Sequence, residues 1–390
     1  MFLAGVPGQA VGQRPAEKDL VWPLPPESPK VRFVGQLSNE QDVGKKLGFF
    51  ARLRNALSGT RGSVIGVQRP HDVQVDGGDR FFVSDGARGK LVVFKTDQRQ
   101  AFIVGEEGAG YLRKPLGLGG DGRGTIYVAD GSGARVVAFD REGRYLRAYG
   151  GEHQLLNPAD VAVDADRDRL YVADSYLHQV VVFSISSGEV VQHIGRDDDD
   201  LAAKREALTG MWQGGMHGAR AESAEAGGHP TDDGTPRRDL ELNRGGGPGE
   251  FRYPAFVAVS PDGTVYVTDQ MNFRVQAFDA TGKFIRVIGG IGDGPGYFAR
   301  PKGVGVDGEG HLYVADGAFN NVQIFNADGQ LLLVFSGMGT DEGQLYLPLG
   351  LSIDGTNHVY VADRYNNRVQ VYQFMAGGAP STKPAERSRR

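Results

Sequence analysis

The sequence predicts an all-β fold, a six-bladed β-propeller with four-stranded antiparallel blades closed by an N-terminal outer strand. Three observations predict it: one alternating apolar window recurs six times, its spacing is nearly constant, and 59 of the 390 residues are glycine. Glycine supplies the positive φ that tight turns between short strands require.

The windows align without gaps: FFVSDGARGKLVVF at 81–94, IYVADGSGARVVAF at 126–139, LYVADSYLHQVVVF at 170–183, VYVTDQMNFRVQAF at 265–278, LYVADGAFNNVQIF at 312–325 and VYVADRYNNRVQVY at 359–372. Their aspartates, Asp85, Asp130, Asp174, Asp269, Asp316 and Asp363, lie 45, 44, 95, 47 and 47 residues apart by subtraction of their numbers. A proline and an apolar run of period two precede each window, as in Pro301-Lys-Gly-Val-Gly-Val-Asp307, and read as a first strand. A turn such as Asp279-Ala-Thr-Gly282 and a run such as KFIRVIG at 283–289 supply a fourth. Four antiparallel strands at this period form a propeller blade, whose faces are covered only by stacking on neighbours.

The P-x-G-V-A-V-D, YVAD, N-x-R-V-Q-V-F and G-x-G-x-G-x-F/Y-x-x-P pattern resembles the NHL-repeat family over about residues 30–374, with GDGPGYFARP at 292–301 a close match and Phe82 and Ser84 departing from it. The resemblance implies a bacterial extracytoplasmic setting. The opening MFLAGVPGQA nevertheless lacks the basic flank and long apolar centre of a secretory signal.

The sixth repeat stops after its third strand at Phe374, whereas KVRFVG at 30–35 reads as an outer strand that precedes any blade. Val31 to Val34 therefore completes blade six and removes an unpaired edge. Residues 1–29 read as a flexible Pro-rich lead-in, 43–58 as a helical segment, 196–246 as a disordered insertion that explains the long interval, and 375–390 as a disordered tail.

In such a blade the turns between strands one and two and between three and four share one rim, and here they are short and Gly/Asp-rich. All irregular connections fall on the other rim, the expected binding surface. Its candidate ligand residues are the aromatic and Met turn residues Tyr176, Met271, Phe273, Phe319 and Tyr365 with Arg88, Arg135, Arg274 and Arg368. The competing reading is that the repeated Arg and Asn only cap turns. The YVAD aspartates read as structural acceptors for the following turn.

One branch of the NHL resemblance is the lyase module of peptide-amidating enzymes, which implies a histidine-bound metal in the central channel. The second position after each first-strand proline gives Asp72, Gly117, Asp160, Phe256, Gly303 and Gly350, with His71 alongside. One histidine and two carboxylates do not reproduce the lyase pattern. A divalent cation on His71, Asp72 and Asp160 remains the alternative, since hard cations favour oxygen ligands.

A net charge of -5 argues against nucleic acid, and the absence of cysteine excludes a disulfide framework or thiolate chemistry. No run approaches the roughly 18 apolar residues of a membrane span. No serine-hydrolase elbow or HExxH helix is present. The expectation is a protein or peptide interaction platform without cofactor, with a metal-dependent lyase or hydrolase at the channel as the alternative.

Overall fold

The computed structural model describes residues 20–24, 27–39, 42, 65–151, 154–195 and 245–375. Within them the chain forms six antiparallel sheets, one for each repeat. Blade one consists of Pro70–Asp76, Arg80–Asp85, Lys90–Lys95 and Gln100–Val104. Blades two to five run from Pro115–Gly120 to Tyr145–Tyr149, Pro158–Asp164 to Val190–Ile194, Pro254–Val259 to Phe284–Ile288 and Pro301–Val306 to Leu331–Phe335. Blade six takes Pro348–Ile353, His358–Asp363 and Arg368–Phe374 from its own repeat.

Its outer strand is Val31–Leu37, paired antiparallel from Val31 opposite Phe374 to Leu37 opposite Val369. The closure expected at Val31 to Val34 is thus present and three residues longer. A fifth strand, Val21–Trp22, pairs with Val31 and Arg32. The Trp22 ring lies 5.7 Å from Tyr372 and 6.1 Å from Phe335 of blade five, so part of the stretch read as lead-in packs across the closing seam. The expected helix at 43–58 and the first 19 residues lie outside the described residues, as do 196–244 of the insertion and 376–390 of the tail.

The core lies between blades. Tyr127, Ala129 and Val136 of blade two, for example, pack with Val161, Leu170 and Val172 of blade three. Burial of a Val, Leu or Phe side chain contributes roughly 1.5–3 kcal/mol, and alternation lets each strand present such residues to both neighbours. The first strands stand side by side around the axis in the order one to six, with blade six against blade one. Blades one and four therefore face each other across the channel.

The conserved spacing within repeats has a hydrogen-bonding cause. All six strand-two aspartates are fully buried. Asp85, Asp130, Asp174 and Asp316 accept from turn backbone amides as expected, for example Tyr176 and Leu177 on Asp174, whereas Asp269 and Asp363 accept from the side-chain amides of Asn272 and Asn366 in their turns. All six also accept from the linker entering the first strand: Gln68 N–H on Asp85, Lys114 on Asp130, Leu156 on Asp174, Arg252 on Asp269, Ala299 on Asp316 and Tyr346 on Asp363. One carboxylate thus fixes both loops at the irregular rim. The glutamine of V-Q-V-F anchors the Gly-rich linker in the same way, with Gln323 accepting from Gly296 N–H and donating to Tyr297 O at 2.8 Å each.

Candidate functional site

The loop-rich end of the channel opens into a cavity of about 380 Å³. Three positions of the repeat line it. The residue after the first-strand proline contributes from every blade: His71, Leu116, Ala159, Ala255, Lys302 and Leu349. The residue before that proline contributes Lys114, Asn157, Tyr253, Arg300 and Leu347, and the residue after the strand-two aspartate contributes Gly86, Ser175, Gln270 and Arg364. Phe256 is the one residue of the sequence-derived channel ring that reaches the cavity.

That ring is therefore displaced by one position, and the register explains why. Each first strand is irregular just after its proline, between Pro70 and Asp72 in blade one and between Pro254 and Val257 in blade four. The irregularity sends the next side chain to the mouth and the following one between blades. Asp72 accepts from Leu118 N–H of blade two at 2.8 Å, and Asp160 accepts from Val257 N–H of blade four at 2.9 Å. A Cβ on Gly350 would stand 1.9 Å from Asp72 Oδ1, and one on Gly117 the same distance from Asp160 Oδ1. The glycines make room for carboxylates that clip blades together rather than opening the mouth.

Burial raises the Asp72 carboxyl well above the usual range, partly offset by the Leu118 and Val73 amides. Burial and then the neighbouring Asp72 raise Asp160 likewise, and among the described residues Asp160 Oδ1 has no hydrogen-bond partner. His71 stacks on Phe256 across the channel, with centroids 5.5 Å apart and planes at 19°. Burial, followed by Arg364, Lys302 and Lys114, pushes its pKa down to about 3.

Two irregular repeats supply this stack. Ser84 Oγ accepts from Asp72 N–H and donates to Leu116 O, and Thr268 Oγ1 accepts from Phe256 N–H at 2.8 Å. Hydroxyls replace the YVAD alanine in the two blades that meet across the axis, where the bulged amides need an acceptor.

His71, Asp72 and Asp160 do not form a ligand set. Among the described residues no group of three or more His, Cys, Asp or Glu side chains is placed to hold a metal ion. The two carboxylates are turned into inter-blade amides, and the imidazole faces three cations, a setting that disfavours a further positive charge.

The rim candidates divide. Tyr176, Met271 and Tyr365 are exposed, whereas Phe273 and Phe319 are half-buried. Tyr176 lies 6.2 Å from Tyr253, and Tyr365 lies 5.2 Å from Tyr346, giving two tyrosine pairs beside the mouth. The arginines are structural clamps. Arg274 Nε donates to Asp269 at 2.8 Å, with its Nη2 on Gly247 O and Glu250 O. Arg368 bonds Asp363, Gln36, Asp341 O and Gln344 O. Arg88 donates to Gln68 and Gly66 O, and Arg135 to Ala109 O and Tyr111 O.

Sequence reasoning misses Tyr253, Tyr346, Lys114, Arg300, Lys302 and Arg364. The signal is available: aligning the repeats one residue earlier, at the position after the proline, puts His71 and Lys302 among four apolar residues.

The sequence matches the family described as 6-bladed beta-propeller over residues 253–376 and the NHL repeat over residues 155–183. A structural genomics protein of unknown function from Bacteroides thetaiotaomicron is similar at 16% identity, covering 80% of this chain and 70% of that one with a TM-score of 0.55. A catalytically inactive virginiamycin B lyase from Staphylococcus aureus, solved with quinupristin, is 11% identical over 92% of this chain and 99% of that one, with a TM-score of 0.52. A streptogramin B lyase is 10% identical over 79% and 94%, with a TM-score of 0.51. Identities this low show a shared fold and carry no activity with them. Six blades of four antiparallel strands make the chain a six-bladed β-propeller, and one of its repeats matches the NHL repeat.

Proposed function

We propose that the protein is a binding platform that seats a peptide or a segment of a protein on the loop-rich rim, at the mouth of the channel. The observation that carries this reading is the mouth itself: a cavity of about 380 Å³ beside two exposed tyrosine pairs. Tyrosine combines large contact area with few rotatable bonds, so its ordering cost on binding is low. The His71–Phe256 stack spans the channel, so the ligand sits in the mouth rather than threading the ring. A metal-dependent lyase or hydrolase finds less support, because the residues nominated for the metal are committed to blade contacts or surrounded by cations.

Selection of a displayed random-peptide library on the full chain tests the reading. Recovered peptides are expected to bind the wild type and to lose most of their affinity for a Tyr176→Ala, Tyr365→Ala double variant that melts as the wild type does. Failure to recover any peptide, or equal binding to the double variant, contradicts it.

A further inference from the structure

We infer that the ligand segment is acidic and enters the mouth through carboxylate groups, an inference that rests on the platform reading and specifies its ligand. Lys114, Arg300, Lys302 and Arg364 line the cavity, and among the described residues no carboxylate does. This local excess of positive charge stands in a chain whose net charge is -5.

The four cations are spare in a way that the rim arginines are not. Arg88, Arg135, Arg274 and Arg368 all donate to acceptors of the fold. The side chains of Lys114, Arg300 and Arg364 make no hydrogen bond or ion pair with another described residue. Among the described residues Lys302 Nζ has only the neutral Gln270 Oε1, at 2.6 Å. The carboxylates whose charge reaches them, Asp85 at Arg364 and Asp316 at Lys302, are buried strand-two aspartates already holding backbone amides.

Convergence of the charges is visible in their effects. Arg364, Lys302 and Lys114 all bear on His71, and Arg300 and Arg364 bear on Lys302, whose pKa falls to about 8 chiefly through burial. Uncompensated cations around a concave, partly enclosed site cost stability unless an anion enters, and charge-assisted bonds to a carboxylate are strong and directional.

The form of the site favours a short acidic stretch over an extended polyanion. Four basic side chains converge on the cavity, and Arg88, Arg135 and Arg274 on the surrounding rim are occupied within the fold. The chain's negative total charge opposes a long phosphate backbone, whereas one or two carboxylates flanked by peptide can meet Lys302 and Arg364 and lie along the tyrosines.

The test uses the full chain and a fluorescein-labelled acetyl-hexaglutamate peptide, followed by anisotropy at low salt. The wild type is expected to bind it, and a Lys302→Gln, Arg364→Gln variant to bind about ten-fold more weakly or worse. A neutral hexaglutamine peptide should not bind, and thermal unfolding of each variant establishes that it is folded. Lys283→Gln on the opposite rim serves as the control and should bind as the wild type. Absence of hexaglutamate binding, binding unchanged in the mouth variant, or tighter binding of a short oligouridylate overturns the inference. If peptides selected from the displayed library show no acidic bias and depend on Tyr176 and Tyr365 but not on Lys302 and Arg364, the platform stands and the acidic ligand does not.

Discussion

His71 of blade one stacks on Phe256 of blade four with ring centroids 5.5 Å apart, although the two blades stand on opposite sides of the ring. The contact spans the channel and gives the mouth a floor. Replacing Phe256 by Ala removes the buried ring and admits water, at a cost of about 3 kcal/mol. The pKa of His71, held down to about 3 by burial and the nearby cations, should then rise toward its ordinary value. Titration of the histidine ring signals by NMR checks this: a midpoint unchanged in Phe256→Ala would show that Phe256 does not shield the imidazole.

The carboxyl groups of Asp72 and Asp160 give stability a definite pH dependence. Their folded pKa values are raised, so between the ordinary carboxyl value of about 4 and the folded value the native state binds more protons than the unfolded chain. The pair's contribution therefore falls as pH rises through that window. Asp160→Asn keeps an acceptor for Val257 N–H and removes one ionisable group. Relative to wild type, its unfolding free energy should improve steadily from pH 5 to pH 8 in urea titrations, and a constant difference would contradict the account.

Arg368 ties the closing strand to the ring. It binds Asp363 at 2.8 Å, Gln36 of the N-terminal strand at 2.9 Å and two carbonyls of the incoming linker. Arg368→Ala leaves the fully buried Asp363 without its cation and should cost about 3–5 kcal/mol in denaturant unfolding. A loss under about 1 kcal/mol, the range of an exposed pair, would mean that the clamp is dispensable.

Lys302 should behave in the opposite sense. Its only described hydrogen-bond partner is a neutral amide and its positive charge is opposed by Arg300 and Arg364, so Lys302→Gln is expected to raise the melting temperature at pH 7. Sites kept for binding often trade stability in this way. Calorimetry decides it, and a clear drop in melting temperature would assign Lys302 a structural role.

Blade number, strand order and the closing strand are readable from sequence because one window, repeated six times, leaves little freedom in where each strand begins. The site is less readable. Alternation places every second residue on one face, but the bulge after each first-strand proline shifts the count, so Asp72 and Asp160 fall between blades while His71 and Lys302 reach the mouth. Nor does a turn position reveal which way a long side chain folds. Arg274 and Arg364 sit five and one residues beyond their strand-two aspartates, yet the first turns back onto Asp269 and the second lines the cavity. Trp22 is hidden in a proline-rich stretch, since a two-residue strand has no period to detect.

Hydrogen–deuterium exchange of the full chain with and without the tightest peptide from the displayed library tests the central claim most directly. The account predicts protection at the mouth, around residues 114–116, 253–256, 300–302 and 364–365. Protection confined to the hairpin rim, around 77–79, 122–124 and 354–357, would place the ligand on the other face and contradict it.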